Sequence, residues 1–433
     1  MPSGREGVDH DRVHRVISRG GEEPALLLVD ADGTLRIGGC RVDDLAREFG
    51  TPAIIVDEAA LRARAQEYRT ALTSRRSNSR VVFASKAFPA TAVQRVMVEE
   101  GIGLDVAGGG EILSALRAGI DPALLVMHGN AKTTEELRIA VDAGLGLVVV
   151  DNADDVDRLE QLVPEAHAQD VLVRVIPEVE SSTHPHVQTG QVGSKFGLTA
   201  AAAKALITRI EESPQLRMRG VHAHVGSQIM DPAELAAAVA PLAALGTFPV
   251  YDLGGGLGAR YTYDEHPASV DAYIEALLAA AAEHLPAEAE IIIEPGRSMV
   301  NASALTLYTV TTVKRDARTF VAVDGGMGDN LEVALFQQRY EAALAARLHE
   351  DAVEDVVVVG RHCESGDVLI DPLRLPEVRV GDLLAVPATG AYTHTMANNY
   401  NGYRRPPVVF VRDGAARAVI RRETWDDLFA RDL

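Results

Sequence analysis

One lysine stands where a short apolar run gives way to a turn. Lys86 lies in VVFASKAF, and the chain contains only four other lysines. A lysine at a desolvated strand end has a lowered pKa, which suits it to forming a Schiff base with an aldehyde. A surface lysine that merely follows a strand is the other interpretation, and position alone favours it.

Two glycine-containing motifs also follow predicted strands. DLGGGLG contains Gly254, Gly255 and Gly256, whose backbone can approach a phosphate closely and direct N–H groups to it. In EPGR, the Glu294 carboxylate could hold a pyridinium N–H, and Arg297 could bind a phosphate or a substrate carboxylate. A tight turn and a strand-end salt bridge are the structural alternatives for these two motifs.

A fourth motif, HCESGD, places Cys363 and Glu364 side by side in a region rich in β-branched residues. The motif joins a cysteine to two acidic residues, a combination of residue types that could carry chemistry. A buried cysteine that acts only as a small apolar residue is the alternative.

The elements that must position these residues repeat along the chain. From AIIVD at 53–57 to EIIIEPG at 290–296, short apolar runs alternate with alanine- and leucine-rich helical stretches. Continuous apolar strands separated by helices indicate a parallel sheet, and the number of repeats predicts an α/β fold, a (β/α)8 TIM barrel. Its chemistry would lie at the C-terminal ends of the strands.

The sequence changes character after the barrel. Short β-branched runs with frequent turns predict a second, mainly antiparallel β domain. ALLLVD and TLRIGG, before residue 40, predict two strands that join this β domain. We therefore expect an N-terminal extension at 1–47, the barrel at 48–296 and the β domain at 297–433.

Composition excludes several classes of protein. The 433 residues carry a formal net charge of −20, which gives nucleic acid no general reason to bind. Two cysteines, Cys40 and Cys363, cannot form a disulfide framework and fit a reducing compartment. No apolar run has the length of a membrane span, and the start lacks the apolar core of a signal peptide. These features predict a cytoplasmic protein without a membrane or nucleic-acid partner.

Eleven motifs together resemble a known family. In order along the chain they are FASKAF, LDVAGGGE, HGNAKT, SKFGL, HAHVGSQI, DLGGGLG, EPGR, DGGMGDN, HCESGD, ATGAY and RPPVV. They resemble the diaminopimelate decarboxylases, which belong to the barrel-type decarboxylases dependent on pyridoxal 5'-phosphate. The likeness extends from about residue 48 to the C-terminus, and it implies a barrel with a β domain, as the alternating elements do.

The resemblance also implies roles for individual residues. Lys86 would hold the cofactor through a Schiff base, His224 would stack on the pyridine ring, and Glu294 would pair with the ring nitrogen. Arg174 and Asp105 would lie near the ring and the lysine. The phosphate would be surrounded by Ser227, Gly254, Gly255, Gly256, Arg297 and Tyr392.

The implied substrate is a small amino acid. Cys363 would return a proton after CO2 leaves, and Glu364 would contact the distal amine of the substrate. Arg297 and Tyr392 would also contact the substrate. In the family, the cysteine and glutamate reach the site of a partner subunit, so the resemblance implies a homodimer with shared sites.

One stretch, DNLEVALF, departs from the family pattern. Glu332 stands where family members typically carry an arginine, and Phe336 where they carry a tyrosine; in the family these residues grip the distal carboxylate. A reversed charge there predicts a substrate without a free distal carboxylate, such as a basic D-amino acid or a natural-product or siderophore intermediate. The alternative is decarboxylation of meso-diaminopimelate to L-lysine, with Arg339 replacing the missing arginine.

Other functions fit fewer motifs. A barrel metallohydrolase could use the pairs His184/His186 and His222/His224, because alternate residues of a strand share a face. That hypothesis leaves Lys86 and HCESGD unexplained, so we expect no metal. A catalytically inactive homologue would usually have lost the lysine or the cysteine–glutamate pair, and an amino-acid racemase would not require HCESGD.

Overall fold

The computed structural model describes residues 27–179 and 193–433, which form two compact units. The barrel unit consists of Arg62–Ala259 and Pro267–Met299. The β unit consists of the described residues up to Leu61, together with Arg260–His266 and Val300–Leu433.

The described residues contain twenty strands, which are labelled in chain order. They are β1 (Leu27–Val29), β2 (Leu35–Ile37), β3 (Cys40–Arg41), β4 (Ala53–Asp57), β5 (Ser79–Ala84), β6 (Gly103–Val106), β7 (Leu125–Met127), β8 (Leu147–Val150), β9 (Gln169–Arg174), β10 (Leu216–His222), β11 (Val250–Asp252), β12 (Glu290–Ile293), β13 (Ala304–Arg315), β14 (Thr319–Val323), β15 (Ala343–Leu344), β16 (Glu354–Val359), β17 (Val368–Leu375), β18 (Leu383–Pro387), β19 (Val408–Arg412) and β20 (Ala415–Ile420).

The α-helices of the described ranges are mostly short. They span Val42–Phe49, Glu58–Thr73, Thr91–Glu99, Gly109–Ala118, Thr134–Ala143, Ala153–Leu162, Ala200–Glu212, Pro232–Ala236, Val239–Ala243, Val270–His284, Arg297–Val300, Glu332–Leu335, Thr393–Met396 and Trp425–Phe429. Single 3-10 turns occur at Ser85–Ala87, Pro122–Leu124, Asn301–Ser303 and Tyr400–Gly402. Within residues 27–179 and 193–433, no helix combines the length and the hydropathy that crossing a bilayer requires.

Eight parallel strands, β5 to β12, close into a barrel, which confirms the predicted fold class. The apolar runs are strands because their β-branched residues pack well on a pleated sheet that is buried on both faces. Side chains from six of these strands meet in one buried cluster: Val82, Val126, Leu147, Val149, Leu172, Val250 and Ile292.

Polar caps define where several barrel helices begin and end. The helix Thr134–Ala143 begins with a capping box, in which Thr133 and Glu136 satisfy each other's backbone N–H groups. It ends at Gly144, whose φ of 71° is left-handed and favours glycine. Such local signals separate each helix from the next strand and so hold the strand ends, with their functional side chains, at one rim.

The β unit contains two sheets. Its nine-stranded sheet has the order β17-β16-β14-β13-β4-β19-β20, with β18 on β13 and β15 on β18. All its pairings are antiparallel except β14–β16 and β4–β19. The N-terminal strands β1 to β3 form a sheet of their own and pack in the core of the same unit.

The strand AIIVD differs from the sequence-based expectation. It was expected to open the barrel, but it is β4 of the nine-stranded sheet, between β13 and β19. All five of its residues are buried. An apolar run shows that a strand is covered on both faces, but it does not show which sheet covers it.

Candidate active site

An ionised carboxylate lies at the end of β12. Glu294 is buried, with Oε1 2.6 Å from Nε2 of His128 and Oε2 3.2 Å from Nε2 of His222. Burial alone would raise the pKa of Glu294, but the charges and hydrogen bonds of the two imidazoles outweigh it and hold that pKa well below its usual value. Glu294 can therefore offer a negative charge to a buried cationic group.

Other groups close to Glu294 also have shifted pKa values. Burial lowers the pKa of His222 to about 3, and it raises the pKa of Asp105 to about 7. Asp252, the last residue of β11, has its pKa raised well above the usual value by burial and by the nearby Glu294 charge. One Asp252 oxygen accepts the Gly254 N–H at 3.0 Å, and the other has no hydrogen-bond partner among the described residues.

The glycine-rich turn after β11 is packed against neighbouring strand ends. A Cβ on Gly254 would lie 2.5 Å from the Ala223 carbonyl oxygen, and one on Gly255 would lie 2.0 Å from that of Glu294. Gly256 adopts a left-handed φ of 127°. Only glycine satisfies these positions, and the backbone they leave uncovered is the kind that a phosphate can approach.

Three residues predicted to contact the cofactor, Arg297, Ser227 and His224, form hydrogen bonds near this turn. Nε of Arg297 donates to Oγ of Ser227 at 3.2 Å, which brings together two residues predicted to surround the phosphate. The Gly255 N–H donates to Nδ1 of His224 at 3.3 Å. Burial, followed by the charges of Lys86 and Arg174, lowers the pKa of His224 well below its usual value, so its ring is neutral.

Lys86 lies in the 3-10 turn directly after β5. This turn is packed against EPGR, because the Ala84 N–H donates to the Pro295 carbonyl at 3.2 Å and a Cβ on Gly296 would lie only 3.0 Å from the Ala84 side chain. The sequence predicted a desolvated lysine, whereas the Lys86 side chain is exposed. The strand ends at Ala84, two residues earlier, so the lysine stands on the rim and not within the sheet.

Arg174 ends β9 and is almost completely buried. Its guanidinium lies 4.5 Å from the centre of the Phe196 ring, and its Nε lies 4.0 Å from Asp151. Its charge acts on both Glu294 and Asp105, since each of these acids affects its pKa. The barrel thus brings Asp105, Arg174, His224 and Glu294 into one electrostatic environment.

The HCESGD loop of the β unit presents its cysteine and glutamate to solvent. Cys363 and Glu364 are exposed, whereas His362 and Asp367 on either side are buried. Asp367 accepts hydrogen bonds from the N–H and from Nδ1 of His362, at 2.8 and 2.9 Å. The loop is therefore rigid at its base, and the two exposed side chains can act on a molecule outside the unit.

Glu332 is buried among aromatic side chains of the same β unit. Its Oε2 accepts hydrogen bonds from the hydroxyls of Tyr340 at 3.0 Å and Tyr261 at 3.3 Å. Phe336 is half-buried one helical turn later. Arg339, the suggested replacement for the missing arginine, is exposed and pairs with Asp264 at 3.2 Å.

Tyr392 is half-buried in the β unit, just before the helix Thr393–Met396. Its φ of 62° is left-handed, which is a strained conformation for a residue with a large side chain. Strain of this kind is commonly retained where it orients a functional group.

Comparison with known proteins identifies the family. Residues 58–301 match the family described as "Pyridoxal-dependent decarboxylase, pyridoxal binding domain". The diaminopimelate decarboxylase of Bacillus subtilis is 43% identical over 419 residues, covering 93% of this chain and 95% of that protein. The enzyme of the same name from Actinosynnema pretiosum subsp. auranticum is 44% identical over 415 residues, covering 93% of each. A crystal structure of diaminopimelate decarboxylase from M. jannaschii with L-lysine has a TM-score of 0.87 at 28% identity, covering 94% of this chain and 97% of that one.

This chain belongs to the diaminopimelate decarboxylase family. The decarboxylase is therefore a carboxy-lyase that uses pyridoxal phosphate, and the predicted family, enzyme class and cofactor are confirmed. Its family leaves no place for the metallohydrolase alternative. His184 and His186, on which that alternative partly relied, lie outside the described residues.

The residues of the barrel mouth fit the cofactor. An ionised acid, a neutral imidazole, a glycine turn, an arginine–serine pair and a rim lysine are the groups that a phosphorylated pyridine aldehyde requires. His128, His222, Asp252 and Glu294 also converge within 4.8 Å of one another, as metal ligands would. Because burial and the Glu294 charge raise the pKa of Asp252 well above its usual value, and Glu294 is engaged by two imidazoles, this cluster suits a pyridinium better than a metal ion.

The sequence analysis assigned no part in binding the cofactor to three residues that lie at this site. His128 and His222 hold Glu294 in its ionised form, and Asp252 tethers the glycine turn. HGNAKT and HAHVGSQI contain the two histidines and DLGGGLG begins with the aspartate, so the signal was present. The sequence alone does not show that β7, β10, β11 and β12 bring these side chains to one point.

Proposed function

We propose that the decarboxylase removes CO2 from meso-diaminopimelate and releases L-lysine. The observation that supports this substrate most strongly is the likeness to enzymes named for diaminopimelate, at 43% and 44% identity over 93% of the chain. Structures of relatives bound to L-lysine agree with it. A cytoplasmic location stays a prediction from composition.

Each group of the barrel mouth has a task in this proposal. Pyridoxal phosphate, when bound, accepts the electron pair that remains when the Cα–carboxylate bond breaks. Lys86 would hold the cofactor, and the neutral ring of His224 would pack on its face without adding charge. Glu294 would keep a proton on the ring nitrogen, because its carboxylate stays ionised despite burial. Arg297, Ser227 and the glycine turn would bind the phosphate.

The β unit would supply the remaining groups. Cys363 would return a proton to Cα, and Glu364 would bind the distal ammonium of the substrate. Both side chains are exposed at the tip of a rigid loop. We propose that they complete the site of a second copy of the chain, which makes the working unit a homodimer. Tyr392 would contact the phosphate and the substrate.

A second candidate substrate lacks a free distal carboxylate. Glu332 favours it, because a buried carboxylate stands where the family pattern places an arginine. A buried negative charge would repel a substrate carboxylate and attract an ammonium group. Glu332 accepts hydrogen bonds from two tyrosine hydroxyls, and Arg339, the suggested replacement for the arginine, pairs with Asp264.

A substrate comparison separates the two candidates. The purified holoenzyme is given meso-diaminopimelate, D-lysine and D-ornithine, and CO2 release yields kcat/KM for each. We expect kcat/KM on meso-diaminopimelate to exceed the others by about 100-fold or more, the discrimination typical of one well-placed charged contact. A higher kcat/KM on a basic D-amino acid would establish the second candidate. In that case Glu332→Gln, which keeps the acceptor oxygen but removes the charge, should lower kcat/KM on that substrate by about 10-fold.

The largest loss of activity is expected for Lys86→Ala. Removing the amine that would hold the cofactor should lower kcat by about 10³-fold or more. The cofactor should also be lost on dialysis, which its absorbance reports. Lys204→Ala, at an exposed helix position, serves as the control and should leave both unchanged. Full turnover by Lys86→Ala would refute the cofactor role of this lysine.

A further inference from the structure

A turn rich in asparagine contacts Cys363 and Glu364 of the HCESGD loop. This asparagine turn comprises Asn398, Asn399, Tyr400 and Asn401. Oδ1 of Asn401 accepts the Cys363 N–H at 3.0 Å. The Tyr400 hydroxyl donates a short hydrogen bond to Oε1 of Glu364. One turn therefore restrains the backbone of the cysteine and the side chain of the glutamate.

The asparagine turn is itself held in one conformation. Oδ1 of Asn398 accepts the Tyr400 N–H at 3.0 Å, and Nδ2 of Asn399 donates to Glu423 at 2.6 Å. Asn401 has a left-handed φ of 56°, which asparagine tolerates better than most residues. The turn can therefore impose a position on its neighbours.

The tyrosine ring is fixed as well as its hydroxyl. It lies parallel to the buried ring of His362, within 2° and with centroids 6.0 Å apart. His362 is anchored by Asp367 and contacted edge-on by Tyr403 at 5.1 Å. The hydroxyl of Tyr400 therefore reaches Glu364 from a rigid base. The hydrogen bond to Glu364 raises the pKa of Tyr400, so the hydroxyl stays protonated as a donor.

The restraint acts at a concave surface. A cavity of about 380 Å³ is lined by Met327, Glu364, Gly366, Asn398 and Tyr400. This volume suits a small ligand or part of one. An exposed glutamate normally samples several rotamers, and ordering it when a ligand binds costs free energy. Here the hydrogen bond from Tyr400 already restrains the Glu364 side chain, which lines the cavity.

We infer that Tyr400 is a positioning residue, which holds the Glu364 carboxylate towards this cavity before a ligand arrives. The inference rests on the proposed role of Glu364 in binding the distal ammonium of the substrate. Loss of the hydroxyl should weaken substrate binding more than it slows the chemical step, because the carboxylate is still present but no longer oriented.

Tyr400→Phe tests this inference in the full-length holoenzyme. We expect KM for meso-diaminopimelate to rise roughly 10-fold with kcat changed less than about 3-fold, the effect of releasing one ordered side chain. Tyr403→Phe is the matched control, because it removes a neighbouring tyrosine hydroxyl that donates instead to the Arg361 carbonyl. It should leave KM unchanged. Cofactor absorbance and melting temperature should be equal in all three proteins.

A double-mutant cycle distinguishes positioning from a general structural effect. In a Glu364→Gln background, Tyr400→Phe should have little further effect, because there is no carboxylate left to orient. Equal effects of Tyr400→Phe in both backgrounds, or a wild-type KM for the single variant, would overturn the inference. If Glu364→Gln alone leaves KM unchanged, the inference fails together with that role of Glu364. CO2 release by the wild-type enzyme then shows separately that the decarboxylase function stands.

Discussion

The barrel mouth and the HCESGD loop hold their reactive groups in different ways. In the barrel, Glu294 and Asp252 are only 5% and 0% exposed, and burial together with neighbouring charges decides which of them is ionised. In the loop, Cys363 and Glu364 are exposed, and hydrogen bonds from the asparagine turn decide where they lie. The first arrangement controls charge, and the second controls orientation.

Because of this difference, substitutions of the two sets of groups should affect the free energy of unfolding to different extents. Burial couples the barrel groups to folding, because a buried charge without its partner costs several kcal/mol. Exposed groups on a rigid loop can be changed without that cost. Substitutions of buried charged groups in the barrel should therefore affect the free energy of unfolding, and substitutions of exposed charged groups in the β unit should affect it little.

Ion pairs provide the largest contrast. Nζ of Lys132 lies 2.8 Å from Asp155 in the barrel, and both side chains are 0% exposed. Lys132→Met should lower the free energy of unfolding by about 3–5 kcal/mol, because it removes the closer, buried cation of the Asp155 carboxylate and leaves only the partly exposed Arg158, at 3.4 Å. In the β unit, Arg374 lies 3.1 Å from Asp355, with both side chains at least half exposed. Arg374→Met should cost about 1 kcal/mol or less. Urea unfolding of the two variants measures both, and equal losses would contradict the comparison.

Two glycines offer a smaller contrast. A Cβ on Gly255 of the barrel turn would meet the Glu294 carbonyl oxygen at 2.0 Å, whereas a Cβ on Gly366 of the HCESGD loop would meet nothing within 4 Å. Gly255→Ala should therefore destabilise the protein by about 1–3 kcal/mol and weaken cofactor retention. Gly366→Ala should change the melting temperature by less than about 2 °C. A stable Gly255→Ala variant that keeps its cofactor would show that the turn can move.

The mildest prediction concerns one buried acid of the β unit. Burial raises the pKa of Asp329 to about 7 from an ordinary 3.8. A raised pKa contributes stability that is complete below pH 3.8 and is lost as the pH rises to 7, at up to about 1.4 kcal/mol per pH unit. Asp329→Asn keeps an acceptor for the Gly326 N–H and removes this dependence. The free energy of unfolding should therefore fall less between pH 5 and pH 8 in the variant than in the wild type.

The control for this experiment is Asp316→Asn, at an exposed turn. The free energy of unfolding of this variant should depend on pH as that of the wild type does. His222 of the barrel should have the opposite effect on the pH dependence of stability. Its pKa is lowered from 6.5 to about 3, so its contribution to the free energy of unfolding is lost as the pH falls below 6.5. Parallel profiles for Asp329→Asn and the wild type would show that Asp329 is not the group that titrates.

The sequence predicted which segments form strands better than it predicted which sheet each strand joins. Eight apolar runs became the barrel strands, and Lys86, Arg174 and Glu294 stand at or just after strand ends as expected. AIIVD was placed in the wrong sheet, because burial on both faces looks the same in any sheet. The exposure of Lys86 was not expected either, because the apolar run does not show at which residue the strand ends.

What the sequence determined by itself is the alternation of strands and helices, the family, and the order of the motifs, because each depends on residues close together along the chain. The tertiary structure decided which charges meet. Glu294 is ionised because strands β7 and β10 bring His128 and His222 to it, and Glu364 is oriented because a turn 36 residues later reaches back to it. Electrostatic and hydrogen-bond energies depend on distance in space, and only the folded chain sets that distance.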